Sequence, residues 1–112
     1  VTEEARAVLA IHGAKPILAI HGAAKSRAWP RVFKMLEAEP DLIRSVNPFS
    51  KSGFSLLHHA AWWGDVGAAR KLVAAGADTA ETDANDMTPS DVARAKKHKN
   101  KQLLSCLEVA RA

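Results

Sequence analysis

The stretch that decides the fold runs from residue 53 to residue 78 and reads GFSLLHHAAWWGDVGAARKLVAAGAD. It holds two short apolar patterns, 55–63 and 66–75, which are separated by Gly64 and Asp65 and closed by Gly76. The second pattern follows the i, i+3, i+4 spacing of one helix face, with Ala68, Ala69, Leu72 and Val73. The stretch therefore predicts two helices joined by a tight turn.

These residues resemble one complete ankyrin repeat. The resemblance is carried by Ser55, Leu56, Leu57, His58, Ala60, Ala61, Gly64, Leu72, Val73, Gly76, Ala77 and Asp78. It implies that the first pattern is an inner helix, that the second is an outer helix, and that 76–78 begins a β-turn. It also implies that His58 is a buried hydrogen-bonding residue between neighbouring turns.

The same pattern returns on both sides of this stretch. A shift of 33 lays Ser55 on Thr88 and Ala60 on Ala93, and a shift of 37 in the other direction lays His58 on His21. Internal similarity at such periods is typical of repeat proteins. The expected helices are 2–12, a helix that has Pro16 in its first turn and runs to about residue 27, 29–39, 55–63, 66–75, 91–97 and 101–110, and 78–87 is expected to form a β-hairpin finger. Thr88 and Pro89 stand where an N-cap and a first helical turn are expected.

A helix pair of this size cannot bury its apolar face alone, so neighbouring pairs must stack. The resemblance thus implies an all-α fold, a solenoid of stacked ankyrin-type helix-turn-helix repeats with short β-turn fingers. We expect one domain over 1–112. It divides into an N-terminal capping helix at 1–17, repeat 1 at 18–52, repeat 2 at 53–85 and a C-terminal capping repeat at 86–112.

Three positions depart from the family pattern. Leu56 stands where the family usually has proline, Asp91 stands where it has histidine, and Lys97 stands where it has the turn glycine. The Lys97 departure leaves the geometry of the last turn open, whereas the fold prediction does not depend on it.

The composition narrows the class of protein. Hydrophobic residues make up 47% of the chain and charged residues 25%, which is ordinary for a globular domain. The net charge of +4 is too small by itself to indicate a nucleic-acid partner. No apolar run reaches the roughly 18–20 residues that span a bilayer. The chain opens on Val1 with an acidic start, so we expect part of a longer protein. The single cysteine rules out an internal disulfide and fits a reducing compartment, so we expect the cytoplasm, with the nucleus as an alternative.

The sequence offers little that indicates catalysis or metal binding. It has one cysteine, Cys106, and five histidines, but no HExxH or CxxC spacing and no glycine-rich phosphate loop. The neighbours His58 and His59 point about 100° apart on a helix and are poorly placed to chelate one ion. We therefore expect a non-catalytic protein without a cofactor or metal.

Trp62 and Trp63 give the sharpest functional indication. They end the predicted inner helix, where ankyrin-type proteins face a concave binding groove, and tryptophan is enriched among binding hot spots. The expected contacts with a partner protein are Phe54, Trp62, Trp63 and Met87, with Lys51, Asn85 and Lys96 at the rim. The alternative is that one indole packs against the 40–52 connection as core. We expect a rigid, monomeric protein-interaction module.

Charge is also segregated near the C-terminus. Residues 78–91 carry five acidic and no basic side chains, and 94–101 is rich in lysine and arginine. The favoured interpretation is a solvated cap on the last repeat. Two alternative functions stay open: weak binding of an anionic ligand or nucleic acid through 94–101, and a regulatory or structural role in which this domain packs against another domain of a longer chain.

Overall fold

A computed structural model describes residues 3–47, 50–98 and 100–108. This part of the chain forms seven α-helices and no strand, which confirms the all-α prediction. The helices are α1 (Glu3–His12), α2 (Ala14–Lys25), α3 (Trp29–Ala38), α4 (Leu56–Trp63), α5 (Val66–Ala74), α6 (Pro89–Ala95) and α7 (Lys101–Glu108), with a 3₁₀ helix at Pro40–Arg44 between α3 and α4.

The helices pack as successive pairs around a continuous core. Within the pairs α2 contacts α3, α4 contacts α5 and α6 contacts α7, while α4 lies between α2 and α6 and α5 lies against α7. Fully buried side chains come from every pair, among them Ile17, Ile20, Leu57, Leu72 and Leu103. Alanines such as Ala60 and Ala61 are also fully buried, and their small size lets α4 approach both neighbours closely.

Three helix ends share one backbone conformation. Each turn is closed by a backbone N–H to C=O bond, in the pairs Ala28 to Ala23 (2.8 Å), Asp65 to Ala60 (3.1 Å) and His98 to Ala93 (2.9 Å). In each turn one residue is left-handed: Arg27 (φ 63°), Gly64 (φ 69°) and Lys97 (φ 64°). This is the Schellman geometry that satisfies the last helical carbonyls. The same turn therefore recurs at the spacings of 37 and 33 residues found in the sequence. Lys97 adopts the left-handed conformation although it is not a glycine.

The helix starts repeat as well. Ser55 and Thr88, which coincide when one repeat is laid on the next, each cap a helix reciprocally. The Ser55 hydroxyl accepts from the backbone N–H of His58, and the Ser55 N–H donates to the His58 ring; Thr88 and Asp91 exchange the equivalent two bonds. Asp65 caps α5 by accepting from the N–H of Ala68 at 3.0 Å, as predicted for a carboxylate at a helix start.

Pro16 lies in the first turn of α2, as predicted, where its missing N–H costs nothing. Gly13 (φ 76°) alone joins α1 to α2, so α2 begins at Ala14, and the division placed between residues 17 and 18 falls inside α2. Thr88 and Pro89 take the predicted positions of the cap and the first helical turn, but the predicted range 91–97 was wrong: α6 begins directly after its cap and occupies 89–95. The predicted end of the last helix, at residue 110, lies outside the described residues.

The connection after α3 contains a 3₁₀ helix that was not predicted from the sequence. Its 3₁₀ helix buries Leu42 and Ile43 and packs against both α1 and α3. His12 adds a polar contact from α1, with its ring nitrogens 3.1 Å from Glu39 and 2.7 Å from Asp41. Leu42 and Ile43, which follow Pro40, thus join α1 to α3.

The predicted β-hairpin finger is a compact turn without strands. The carboxylate of Asp83 accepts from the N–H groups of Asn85 (2.8 Å) and Met87 (3.0 Å), and the Asp83 N–H donates to the Met87 carbonyl (2.9 Å). In the described residues the only strand-like pairing is an isolated bridge between Val46 and Ser55. Side-chain bonds to Asp83 hold this tip in place of a strand ladder.

Within the described residues, no single helix is both long and apolar enough to cross a membrane; α1 and α2 reach that length and composition only together, across a bend of 114°.

Candidate functional site

A concave groove lies where the C-terminal ends of α2 and α4 meet the segment that leads into α4. Its volume is about 460 Å³. Its walls are mainly apolar and aromatic and include Leu18, Phe54, His59, Trp62 and Trp63, with Lys25 as the charged residue that lines it. Concave sites with an apolar lining and a few polar groups are where proteins commonly bind ligands and partner segments.

Trp62 and Trp63 both face solvent at this groove. Their exposed fractions are 41% and 38%, so neither indole is buried as core. The alternative in which one of them packs away against the 40–52 connection is therefore wrong. The two side chains project from the last turn of α4, after the buried Ala60 and Ala61, because α4 ends at Trp63 and the chain reverses at Gly64.

Phe54 joins these indoles into one aromatic cluster. Its ring stacks on His58 with centroids 5.3 Å apart, meets His59 edge-on at 5.4 Å and lies 6.0 Å from the Trp62 ring. Aromatic pairs at these separations are mutually stabilising. The cluster is consequently fixed from two sides, by the buried imidazole of His58 and by the C-terminal turn of α4.

Two cations lie on the indole faces. The Arg27 guanidinium is 5.1 Å from the centroid of Trp63, and the Lys96 ammonium is 4.1 Å from that of Trp62. Both distances are within the range in which the ring quadrupole attracts a cation. Arg27 comes from the turn after α2 and Lys96 from the turn after α6, so the C-terminal ends of α2, α4 and α6 contribute to the same surface.

A histidine pair forms the floor of the groove. The Nε2–H of buried His21 donates to the carbonyl and hydroxyl oxygens of Ser45, at 3.1 and 2.9 Å, which leaves its Nδ1 as an acceptor 3.5 Å from His59 Nε2. Burial is the main cause that lowers the pKa of His21 to about 4. The pKa of His59 falls to about 3, first through burial and then through His21, His58 and Lys25. Both rings are neutral at pH 7.

His58 and His98 connect one helix pair to the next. The Nε2–H of fully buried His58 donates to the Met87 carbonyl at 2.8 Å, while its Nδ1 accepts from Ser55. This confirms the predicted role of His58 as a buried hydrogen-bonding residue. His98 donates to the carbonyl of Trp62 at 2.9 Å and thereby ties the end of α4 to the turn after α6. Helix α4, which carries the two indoles at its end, is thus held by contacts with residues on either side of α6.

The predicted contact residues separate into three groups. Phe54, Trp62 and Trp63 line the groove, and Lys96 lies against Trp62. Lys51 and Asn85 are exposed on neighbouring connections, which the Ala84 N–H joins by donating to the Ser52 carbonyl at 2.9 Å. Met87 is partly buried against the core, and its carbonyl is the acceptor for His58. The structure therefore does not bring Met87, Lys51 or Asn85 to the groove lining.

The predicted contacts did not include Leu18, His21, Lys25, Arg27 or His59, all of which belong to the site. The shift of 37 contains the signal for one of them, since it lays Lys25 on Trp62 and so places its side chain on the same face of the preceding inner helix. Arg27 reaches Trp63 from a left-handed turn, and a sequence pattern does not reveal that contact.

Two of the cations in the basic segment 94–101 are engaged with other side chains in the described part of the protein. Arg94 pairs with Glu108 and lies 3.9 Å from Asp91 within α6. Lys96 is engaged with Trp62, and Lys99 lies outside the described residues. These contacts favour the interpretation of a solvated cap over that of an anion site centred on α6.

The described residues contain no group of three or more His, Cys, Asp or Glu side chains that could hold a metal ion. Cys106 is partly buried, and burial raises the pKa of its thiol, which disfavours the reactive thiolate. The groove itself offers aromatic surface, neutral imidazoles and cations. Such groups can contact apolar, aromatic and anionic parts of a ligand.

The chain matches no known protein-family model, and no curated protein is similar enough in sequence to count as a match.

Proposed function

We propose that this chain is an ankyrin-type repeat domain that binds another protein through the groove formed by the ends of α2 and α4. The observation that carries the proposal is the pair of half-exposed indoles, Trp62 and Trp63, which line a concave groove with a volume of about 460 Å³. Large apolar side chains grouped on a surface mark interaction sites, and tryptophan is among the residues that contribute most binding energy.

The ankyrin-type assignment is supported by features that recur at the spacings read from the sequence. Capping boxes begin at Ser55 and at Thr88, one repeat apart, and the left-handed turn residues Arg27, Gly64 and Lys97 follow the same two sequence shifts. The buried imidazole of His58 joins its own helix start to the following connection, as the resemblance implies for that position.

The mechanism we propose is rigid presentation. Phe54 is stacked on His58, the Trp62 carbonyl is held by His98, and each indole carries a cation on its face. Since these side chains are ordered before a partner arrives, binding costs less conformational entropy than it would on a flexible surface. Phe54, Trp62 and Trp63 are the proposed contacts, Lys96 borders them, and Lys51 and Asn85 lie farther out on the rim.

A second candidate is favoured by the exposed apolar side chains of the first two helices. Ile11 on α1 is 73% exposed and Leu18 on α2 is 39% exposed. In this candidate the α1 and α2 end of the domain packs against another domain of a longer chain. It differs from the first candidate in predicting that Ile11, and not the tryptophan pair, controls the interaction.

The two candidates are separated by proximity labelling with three forms of the protein: wild type, Trp62→Ala/Trp63→Ala, and Ile11→Ala. Circular dichroism and thermal unfolding establish that all three are folded. We expect partner proteins that are labelled by wild type and Ile11→Ala but lost with the tryptophan double variant. Unchanged labelling by the folded double variant would overturn the proposal, and selective loss with Ile11→Ala would favour the second candidate.

A further inference from the structure

The charges around the groove have one sign. Lys25 lines it, Arg27 lies on Trp63 and Lys96 lies on Trp62. Among the described residues, none that lines the groove is a carboxylate. In the described part of the chain, none of these three cations forms an ion pair with an acidic side chain. The groove therefore presents three cations that no carboxylate of the described residues neutralises by an ion pair.

Several acidic side chains are engaged with the backbone or line a different depression. Asp78 and Glu81 line a separate depression together with Glu4 and Arg44. The Asp83 carboxylate accepts two backbone N–H groups inside its own turn, and Asp91 caps α6. The net charge of +4 thus includes a local excess of positive charge beside the tryptophans, and not only a uniform surplus.

The cations are also positioned in advance. The charged heads of Arg27 and Lys96 lie over aromatic faces, and their N–H groups are hydrogen-bond donors only. A carboxylate that approaches the indoles consequently meets ordered donors, and less side-chain entropy is lost than with free lysine or arginine. The cationic potential extends to the floor of the groove, where Lys25 is among the causes of the lowered pKa of His59.

The apolar part of the surface specifies the rest of the occupant. Phe54, Trp62 and Leu18 provide a hydrophobic wall, and His21 and His59 are neutral and largely withdrawn from solvent. A phosphate-rich lipid surface gains little from that wall. An apolar side chain flanked by carboxylates matches both the wall and the charges, because it covers the exposed part of the indoles and pairs with the cations that lie on their faces.

We infer that the groove binds an acidic peptide segment of a partner protein, in which one large apolar side chain packs on Trp62 and Trp63 between carboxylates that pair with Lys25, Arg27 and Lys96. This inference rests on the proposed function and adds the chemistry of the partner. It assigns the affinity to the aromatic wall and the selectivity for acidic segments to the three cations.

The test is a selection from a random peptide library displayed on phage, with the purified chain as bait, followed by affinity measurements on synthetic fluorescent peptides. We expect enriched peptides to carry a Leu, Ile, Phe or Trp with Asp or Glu on both sides. Replacing their acidic residues by Gln or Asn should weaken binding about tenfold, since three partly exposed ion pairs are lost. Raising the salt concentration from about 50 to about 500 mM should weaken the acidic peptides more than the neutral ones.

Two triple variants of equal charge separate the groove from net charge. Lys25→Gln/Arg27→Gln/Lys96→Gln removes the cations at the groove, and Arg6→Gln/Arg31→Gln/Lys34→Gln removes three cations that do not line it. The first should reduce affinity for the acidic peptides about tenfold and leave the neutral peptides bound. The second should change the affinity less than about twofold.

Each other outcome has a distinct meaning. Peptides that depend on Trp62 and Trp63 but show no acidic preference would overturn this inference and leave the proposed function standing. Absence of any peptide whose binding depends on the tryptophan pair would overturn it as well. Tighter binding of polyuridine RNA or of phosphatidylserine vesicles than of the acidic peptides, abolished by the groove triple variant, would overturn it by assigning the cations to a different class of partner.

Discussion

The middle helix pair, α4 and α5, and the last pair, α6 and α7, use the same backbone devices for different purposes. Both begin with a capping box, at Ser55 and at Thr88, and their first helices end in the same left-handed turn, at Gly64 and at Lys97. In the middle pair the capping partner is His58, which also bonds the next connection. In the last pair the capping partner is Asp91, whose carboxylate accepts from the Thr88 N–H and lies near Arg94 of the same helix.

The difference extends to the helix ends. The middle pair carries Trp62 and Trp63 where the last pair, one repeat later, carries Ala95 and Lys96. The middle pair thus contributes the aromatic wall, and the last pair contributes the cation on Trp62 and the His98 bond that holds the Trp62 carbonyl. Repeated backbone geometry fixes where the side chains stand, and the residue types at those places decide what the surface binds.

The largest effect should come from removing His58, the capping partner of the middle pair, and Asp91 is its counterpart in the last pair. His58→Ala is expected to lower the free energy of unfolding by about 3–4 kcal/mol, because it opens a cavity and leaves the Met87 carbonyl and the Ser55 cap without their partner. Asp91→Ala removes chiefly a helix cap and should cost about 1 kcal/mol. Urea unfolding of both variants measures the difference, and equal losses would show that the His58 bond to the next pair contributes nothing.

Acid should weaken the first and middle pairs, which contain the buried histidines. A histidine whose folded-state pKa lies below its ordinary value of about 6.5 binds a proton more readily when unfolded, so its contribution is complete above that pH and falls as the pH drops. The pKa is about 4 for His21 and about 3 for His59. Together the two residues should lower the free energy of unfolding by about 2–4 kcal/mol when the pH falls from 7 to 5.

This pH effect is best measured in a Glu81→Gln background. Burial, followed by Asp78 and Glu4, raises the pKa of Glu81 to about 7, and a raised carboxyl pKa stabilises the fold toward low pH, which is the opposite sign. Thermal unfolding at pH 7, 6 and 5 should show the histidine loss clearly in that background. Adding His59→Gln should reduce the loss of stability, and an unchanged pH dependence would rule out His59 as one of its sources.

The smallest effect should come from exchanging the turn residues. Gly64→Ala is expected to cost about 2 kcal/mol, since φ is 69° and an added Cβ would lie 2.7 Å from the His98 ring. Lys97→Gly should stabilise the protein by up to about 1 kcal/mol, because it removes the strain of a non-glycine residue at φ 64°. Chemical denaturation decides both signs, and destabilisation by Lys97→Gly would show that its side chain makes a needed contact.

The helices were readable from the sequence because their signals are local. The apolar spacing after Asp65, the hydroxyl at Ser55 and Thr88, and the proline at position 30 each act within one or two helical turns. The 3₁₀ helix at Pro40–Arg44 was missed because its stability comes from burying Leu42 and Ile43 against α1 and α3, and the contact with α1 is distant in the sequence. The finger without strands was missed for a different reason: Asp83 satisfies its turn through a side chain, so no ladder is needed.

By itself the sequence determined the order of helices, the repeat spacing and the presence of two adjacent tryptophans at a helix end, because helix spacing and capping depend on near neighbours. Only the tertiary structure decided what surrounds those tryptophans. Arg27, Trp63, Lys96 and Trp62 come from three helix ends, and their contacts arise when stacking brings those ends together. The same stacking buries His21 and half-buries His59 and keeps them neutral. Desolvation and cation–π geometry are properties of the assembled surface, and no local pattern contains them.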